Sequence, residues 1–115
     1  AAGANPILIA YSFGAGIAAA LIAKRSLPAI LIAPPAGMFS LPHLHDANIG
    51  VIVGAADQFC NQEALREAVP PERITVADGI DHFWFGRETV LRSYLDRVLP
   101  ALAQMDGPSQ FGKKA

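Results

Sequence analysis

The stretch Ile7-Leu8-Ile9-Ala10-Tyr11-Ser12-Phe13-Gly14-Ala15-Gly16 sets a serine at a sharp turn between an apolar run and an alanine-rich segment. The run from Ile7 to Ala10 follows Asn5-Pro6 and is apolar without alternation, as expected of a strand buried in a parallel sheet. The segment from Ala15 to Arg25 ends in Lys24-Arg25, cations that suit the carboxyl end of a helix. Strand, turn at Tyr11 to Gly14, and helix therefore follow in that order. Small residues at Ala10 and Gly14 let strand and helix approach closely around the serine.

The rhythm repeats downstream. Ala29 to Ala33 forms a second apolar strand, stopped by Pro34-Pro35, and residues 36–46 read as a loop. Ile49 to Val53 forms a third strand that ends at Gly54. Asn61 is placed to cap a helix from Gln62 to Val69, stopped by Pro70-Pro71. Arg73 to Val76 is a fourth, shorter strand. Arg87 to Ala103 carries Val90, Leu91, Tyr94, Leu95, Val98 and Leu99 at helical spacing, with Pro100 expected to kink or end that helix. Strands alternating with helices predict an α/β fold with a parallel sheet of about four strands between flanking helices, in three layers. Residues 1–105 are expected to form a single domain, with 106–115 as a disordered tail.

Composition narrows the function. Of 115 residues, 52% are apolar and 17% charged, which suits a packed core, and a net charge of −1 offers no footprint for nucleic acid. The single cysteine, Cys60, excludes a disulfide within one chain. The longest apolar stretch, Ile7 to Ala23, is interrupted by Ser12, Gly14 and Gly16, whereas a membrane span needs about 20 uninterrupted apolar residues. No secretory leader is visible at the first residues. A soluble, cytoplasmic protein is expected, with no membrane or nucleic-acid partner.

In an open parallel sheet, ligands bind at the carboxyl ends of the strands. Three polar residues fall just past such ends: Ser12 after the first strand, Asp57 after the third and His82 after the fourth. Ser12 reads either as a helix N-cap or as a nucleophile lifted by a strained turn over a helix N-terminus. In the second case the backbone N–H of Phe13 is a donor to an oxyanion. Asp57 reads as a turn residue or as the acid that orients His82, and Asp81 is its rival for the second role. His43, His45 and Asp46 make a short cluster that reads better as a solvated loop than as a metal site, since further ligands at suitable spacing are lacking. Gly14 and Gly16 lack the lysine that a phosphate-binding loop requires. No metal and no cofactor are expected.

Together Ala10-Tyr11-Ser12-Phe13-Gly14, Val53-Gly54-Ala55-Ala56-Asp57-Gln58-Phe59 and Gly79-Ile80-Asp81-His82-Phe83 resemble the nucleophile, acid and histidine segments of the α/β-hydrolase superfamily. The chain order Ser, Asp, His is that family's order. The likeness runs from about Asn5 to Pro100, and the chain resembles compact cap-less members akin to dienelactone hydrolases. The elbow departs from the pattern in having Ala10 where glycine is usual.

The resemblance implies a serine hydrolase that cleaves carboxylic esters or thioesters through an acyl-enzyme, with Ser12 as nucleophile, His82 as base and Asp57 as acid. Tyr11, Met38, Phe39, Phe59, Phe83 and Trp84 are expected to line an apolar acyl pocket. It also implies a truncated version of the fold, because the sequence begins just before the nucleophile strand. The strands and the loop that normally supply a second oxyanion N–H are then missing. Losing such a donor costs about 3–4 kcal/mol of transition-state stabilisation. The nucleophile strand is expected at a sheet edge, buried in a homodimer or dimer of dimers. The alternative is a weak or inactive hydrolase that serves as an oligomeric interaction domain.

Overall fold

The computed structural model describes residues 6–105, so the expected tail at 106–115 lies outside the described residues. The elements run β1 (Leu8–Tyr11), α1 (Phe13–Arg25), β2 (Ala29–Ile32), β3 (Ile49–Gly54), α2 (Gln62–Ala68), a 3-10 turn (Pro71–Arg73), β4 (Ile74–Ala77) and α3 (Glu88–Met105). The four strands form one parallel sheet whose spatial order, β1-β2-β3-β4, equals chain order. Tyr11 pairs with Ile32, Ile32 with Ile52 and Ile52 with Thr75.

Side-chain alternation divides the sheet between two cores. Ala29, Leu31, Ile49, Val51 and Val53 face α1 and α2, where they meet Ala15, Ala18, Ala19, Ile22, Leu65 and Ala68. Ile30, Ile32, Ile52 and Ala77 face α3 and meet Val90, Leu91, Tyr94, Leu95, Val98 and Leu102. Helix, sheet, helix is the three-layer α/β arrangement. β2 and β3 are buried throughout, which explains their unbroken apolar runs. β1 alternates half-buried with exposed residues, as suits an edge.

Local chemistry sets the boundaries. α1 buries mostly alanine, which brings its axis close to the sheet, and it ends at Ser26 in the left-handed region, with the Ser26 N–H donating to the Ile22 carbonyl. α2 starts where the Asn61 side chain accepts from the Ala64 N–H at 3.0 Å, a cap worth about 1 kcal/mol. β2 and β3 are joined without a helix, through turns at residues 33–48.

Three expectations shift. Helix α1 begins at Phe13 instead of Ala15, because all the distortion of the turn is concentrated in Ser12. Tyr11 belongs to β1, paired with Ile32, and not to the turn. Pro100 neither ends nor replaces a turn of α3, which continues to Met105. Pro100 is exposed, so the carbonyl left without its N–H partner one turn back can be hydrated. Among the described residues no helix is long and apolar enough to cross a membrane.

Candidate active site

Ser12 occupies the single residue between β1 and α1, with φ 58° and ψ −123°. A non-glycine residue in that region is strained by about 1–3 kcal/mol. Its backbone is fixed on both sides: the N–H donates to the Ile32 carbonyl at 2.9 Å, and its carbonyl accepts from Ala15 and Gly16 at 2.9 and 3.2 Å. The side chain is directed away from the helix. Although Ser12 sits at the N-cap position, its Oγ lies 2.7 Å from His82 Nε2. The N–H groups of Phe13 and Gly14 belong to the first helical turn, which has no intrahelical acceptor for them, and this end of the helix carries positive potential.

Asp57 stands on the turn after β3. Its N–H donates to the Gly54 carbonyl at 3.1 Å, and its Oδ1 accepts from the Phe59 N–H at 2.8 Å. Oδ1 and Oδ2 lie 3.1 and 3.0 Å from His82 Nδ1. Asp57 and His82 are only 7% and 5% exposed, so their interaction is shielded from water. Serine hydroxyl, imidazole and carboxylate thus form one continuous hydrogen-bonded line.

His82 reaches this line from β4, three strands away, a separation of about 14 Å at the usual strand spacing. The loop after β4 crosses back over the end of β3, where the Ile80 carbonyl accepts from the Ala56 N–H at 3.0 Å. Gly54 makes that crossing possible, since a Cβ there would collide with the Ile80 carbonyl. Asp81, the rival acid, is turned the other way. Its Oδ1 accepts from the N–H groups of Phe83 and Trp84 at 3.0 and 3.2 Å, closing the turn that follows His82.

The expected lining residues divide into groups. Phe13 packs on Phe39 with ring centroids 4.8 Å apart, and Phe39 in turn covers Gly16, where a Cβ would clash with its ring. Met38, beside this pair, is exposed. Phe59 meets the imidazole edge-on at 4.8 Å and also contacts Phe83. Phe85, which the sequence reading passed over, stacks on Phe83 and is 79% exposed. The alternation Phe83-x-Phe85 was the available signal. Trp84 points to the opposite side, into the core beneath α3, edge-on to Tyr94, and is not brought to the serine. Tyr11 donates its hydroxyl to the His82 carbonyl at 2.8 Å.

Charge and proton affinity fit a serine site better than a thiol site. Burial pushes the Cys60 thiol up to about 11, against the lowering effect of a hydrogen bond with the Ala36 backbone, and the Asp57 charge adds to the rise. A thiol so protonated is a poor nucleophile. Burial also raises the Tyr11 phenol above its ordinary 10.0, assisted by the charges of Asp57 and Asp81. His43 and His45 stack face to face at 4.0 Å, and His45 Nε2 lies 3.1 Å from the Glu67 carbonyl. Among the described residues no group of three or more His, Cys, Asp or Glu side chains could hold one metal ion.

No protein-family model matches the chain, and no curated protein matches it. Solved structures do. An α/β serine hydrolase homologue from Coxiella burnetii superposes with a TM-score of 0.68 at 25% identity, covering 79% of this chain and 47% of that one. An α/β serine hydrolase without a lid from Xanthomonas campestris gives a TM-score of 0.68 at 23% identity, covering 83% and 46%. A protein of unknown function from Agrobacterium tumefaciens gives 0.62 at 24%, covering 84% and 52%. The chain spans about half the length of the solved structures it matches.

Proposed function

We propose that this chain, which has the α/β-hydrolase fold, acts as a serine hydrolase on carboxylic esters or thioesters with apolar acyl groups. The observation that carries the reading is the 2.7 Å approach of Ser12 Oγ to His82 Nε2, in line with the buried His82–Asp57 pair. In the first step Ser12 Oγ bonds to the acyl carbon while its proton passes to His82 Nε2. Asp57 holds the Nδ1 proton and offsets the charge of the imidazolium. The carbonyl oxygen, now negative, accepts from the Phe13 N–H at the start of α1. Collapse of this intermediate releases the alcohol or thiol, which takes the proton from Nε2. Water then attacks the acyl-enzyme with the same histidine as base, freeing the acid and Ser12.

Phe13, Met38, Phe39, Phe59 and Phe83 give the surroundings of Ser12 an apolar character that favours hydrophobic acyl groups over charged ones. The test is hydrolysis of short- and medium-chain nitrophenyl esters by the wild type and by Ser12→Ala. Turnover is expected to fall at least a thousandfold in the variant. Equal activity in both proteins overturns the assignment.

A second reading, an oligomeric interaction domain with little catalysis, is favoured by one observation. Phe13, Ile17 and Leu21 leave an exposed apolar strip along α1. Labelling by an active-site phosphonate separates the two readings, because only an activated serine reacts. A folded protein that resists the phosphonate supports the interaction domain.

A further inference from the structure

Tyr11 is the last residue of β1 and directly precedes Ser12. Its hydroxyl is committed to the main chain of His82, 71 residues away in sequence, at 2.8 Å. Its ring lies against the His82 imidazole at 5.8 Å between centroids and 29° between planes. Phe59 meets the same imidazole edge-on at 4.8 Å and 73°. The strand that carries the serine therefore also grips the histidine, through both its backbone and its ring.

That grip answers a mechanical problem of this topology. His82 hangs on a loop that starts at the far edge of the sheet and crosses over the end of β3. Proton transfer is sensitive to displacement, and about 1 Å of misplacement can cost roughly a hundredfold in rate. Asp57 restrains the imidazole from the side of Nδ1 only. A tether from β1 sets the distance between loop and serine directly, since Tyr11 and Ser12 share a peptide bond.

We propose that Tyr11 is a positioning residue, which holds His82 at hydrogen-bonding distance from Ser12 by donating its hydroxyl to the His82 carbonyl. Its kinetic consequence rests on the serine-hydrolase reading, whereas the tether itself does not. The phenol stays protonated through the physiological range, since burial and the nearby charges of Asp57 and Asp81 raise it, so it remains a donor. The sequence expectation for Tyr11 is a substrate contact; its hydroxyl is engaged by His82, while the residue is 43% exposed, so the experiment below separates the two roles.

The test compares wild type with Tyr11→Phe, which keeps the ring and removes the tether. With a nitrophenyl ester, kcat is expected to fall about five- to twentyfold while KM changes less than about twofold. In proton NMR, the downfield His82 Nδ1–H signal, assigned by its loss in His82→Gln, is expected to broaden in Tyr11→Phe through faster exchange with water. Tyr11→Leu, which also lacks the ring, is expected to broaden it further. A raised KM at unchanged kcat would overturn the proposal in favour of a substrate contact. An Nδ1–H signal as sharp in both variants as in wild type would overturn it outright. Should the wild type show no Ser12-dependent turnover, the hydrolase reading fails, and the NMR comparison still decides the tether.

Discussion

The fold sets Ser12 and Cys60 differently: the Ser12 hydroxyl lies 2.7 Å from His82 Nε2, whereas the Cys60 thiol is buried. The strained conformation at φ 58° turns the Ser12 hydroxyl off the helix and towards an imidazole. Cys60 is buried, and its proton is held up to about 11. This has a consequence for stability. In the unfolded chain the thiol releases its proton near 9.0, while the fold retains it until about 11. The unfolded state thus binds fewer protons across that window, and stability must fall as pH rises through it. Below pH about 9 the contribution is fully present. Urea midpoints measured at pH 8 and pH 10 should drop more for the wild type than for Cys60→Ala, in which this group cannot titrate. An equal drop in both proteins would assign the loss to other groups.

At the scale of elements, the three loops that follow β1, β3 and β4 are what the fold contributes to the site. Gly54 is the narrowest point between two of them. Gly54→Ala is expected to destabilise the protein by about 1–3 kcal/mol, as overpacking does, and to lower ester turnover by moving the His82 loop. Urea unfolding and kcat check both parts, and a variant with wild-type stability would mean the loop can yield. The four strands, the two core faces and the residues Ser12, Asp57 and His82 were legible because each follows an apolar run that ends at a turn. Adjacency to His82 already disfavours Asp81, since neighbouring residues rarely face each other, but the sequence does not show what holds Asp81 instead. Both flank strand ends, and the structure separates them by the Asp57 contact with His82 Nδ1 and by the backbone turn that occupies Asp81 Oδ1. Trp84 parts from its neighbour Phe83, whose ring meets the His82 imidazole. Its φ of 57° turns its side chain to the opposite side of the loop. The Tyr11 tether joins residues 71 apart, a separation that local pattern does not report.

For the whole molecule, the distribution of exposed apolar surface is uneven. Ile17 is 71% and Phe13 61% exposed, and with Leu21 they recur every fourth residue along one side of α1, beside β1, an edge strand among the described residues. Burial of this strip in a symmetric homodimer or dimer of dimers is the association we propose. Sedimentation at micromolar concentration should give a mass above that of one chain. The double variant Ile17→Lys, Leu21→Lys should shift it to the monomer without loss of helicity. A wild type that sediments as a monomer would refute the association.

The sheet is laid down in the order in which its strands are synthesised, since spatial order and chain order coincide. Ser12 emerges first, and its partner His82 follows 70 residues later. At translation rates of roughly 5–20 residues per second, the nucleophile waits about 4–14 s for the imidazole that activates it. On the mechanism proposed above, Ser12 gains its activating base only after β4 has joined the sheet. Covalent labelling of Ser12 in stalled nascent chains would therefore serve as a clock for the docking of β4.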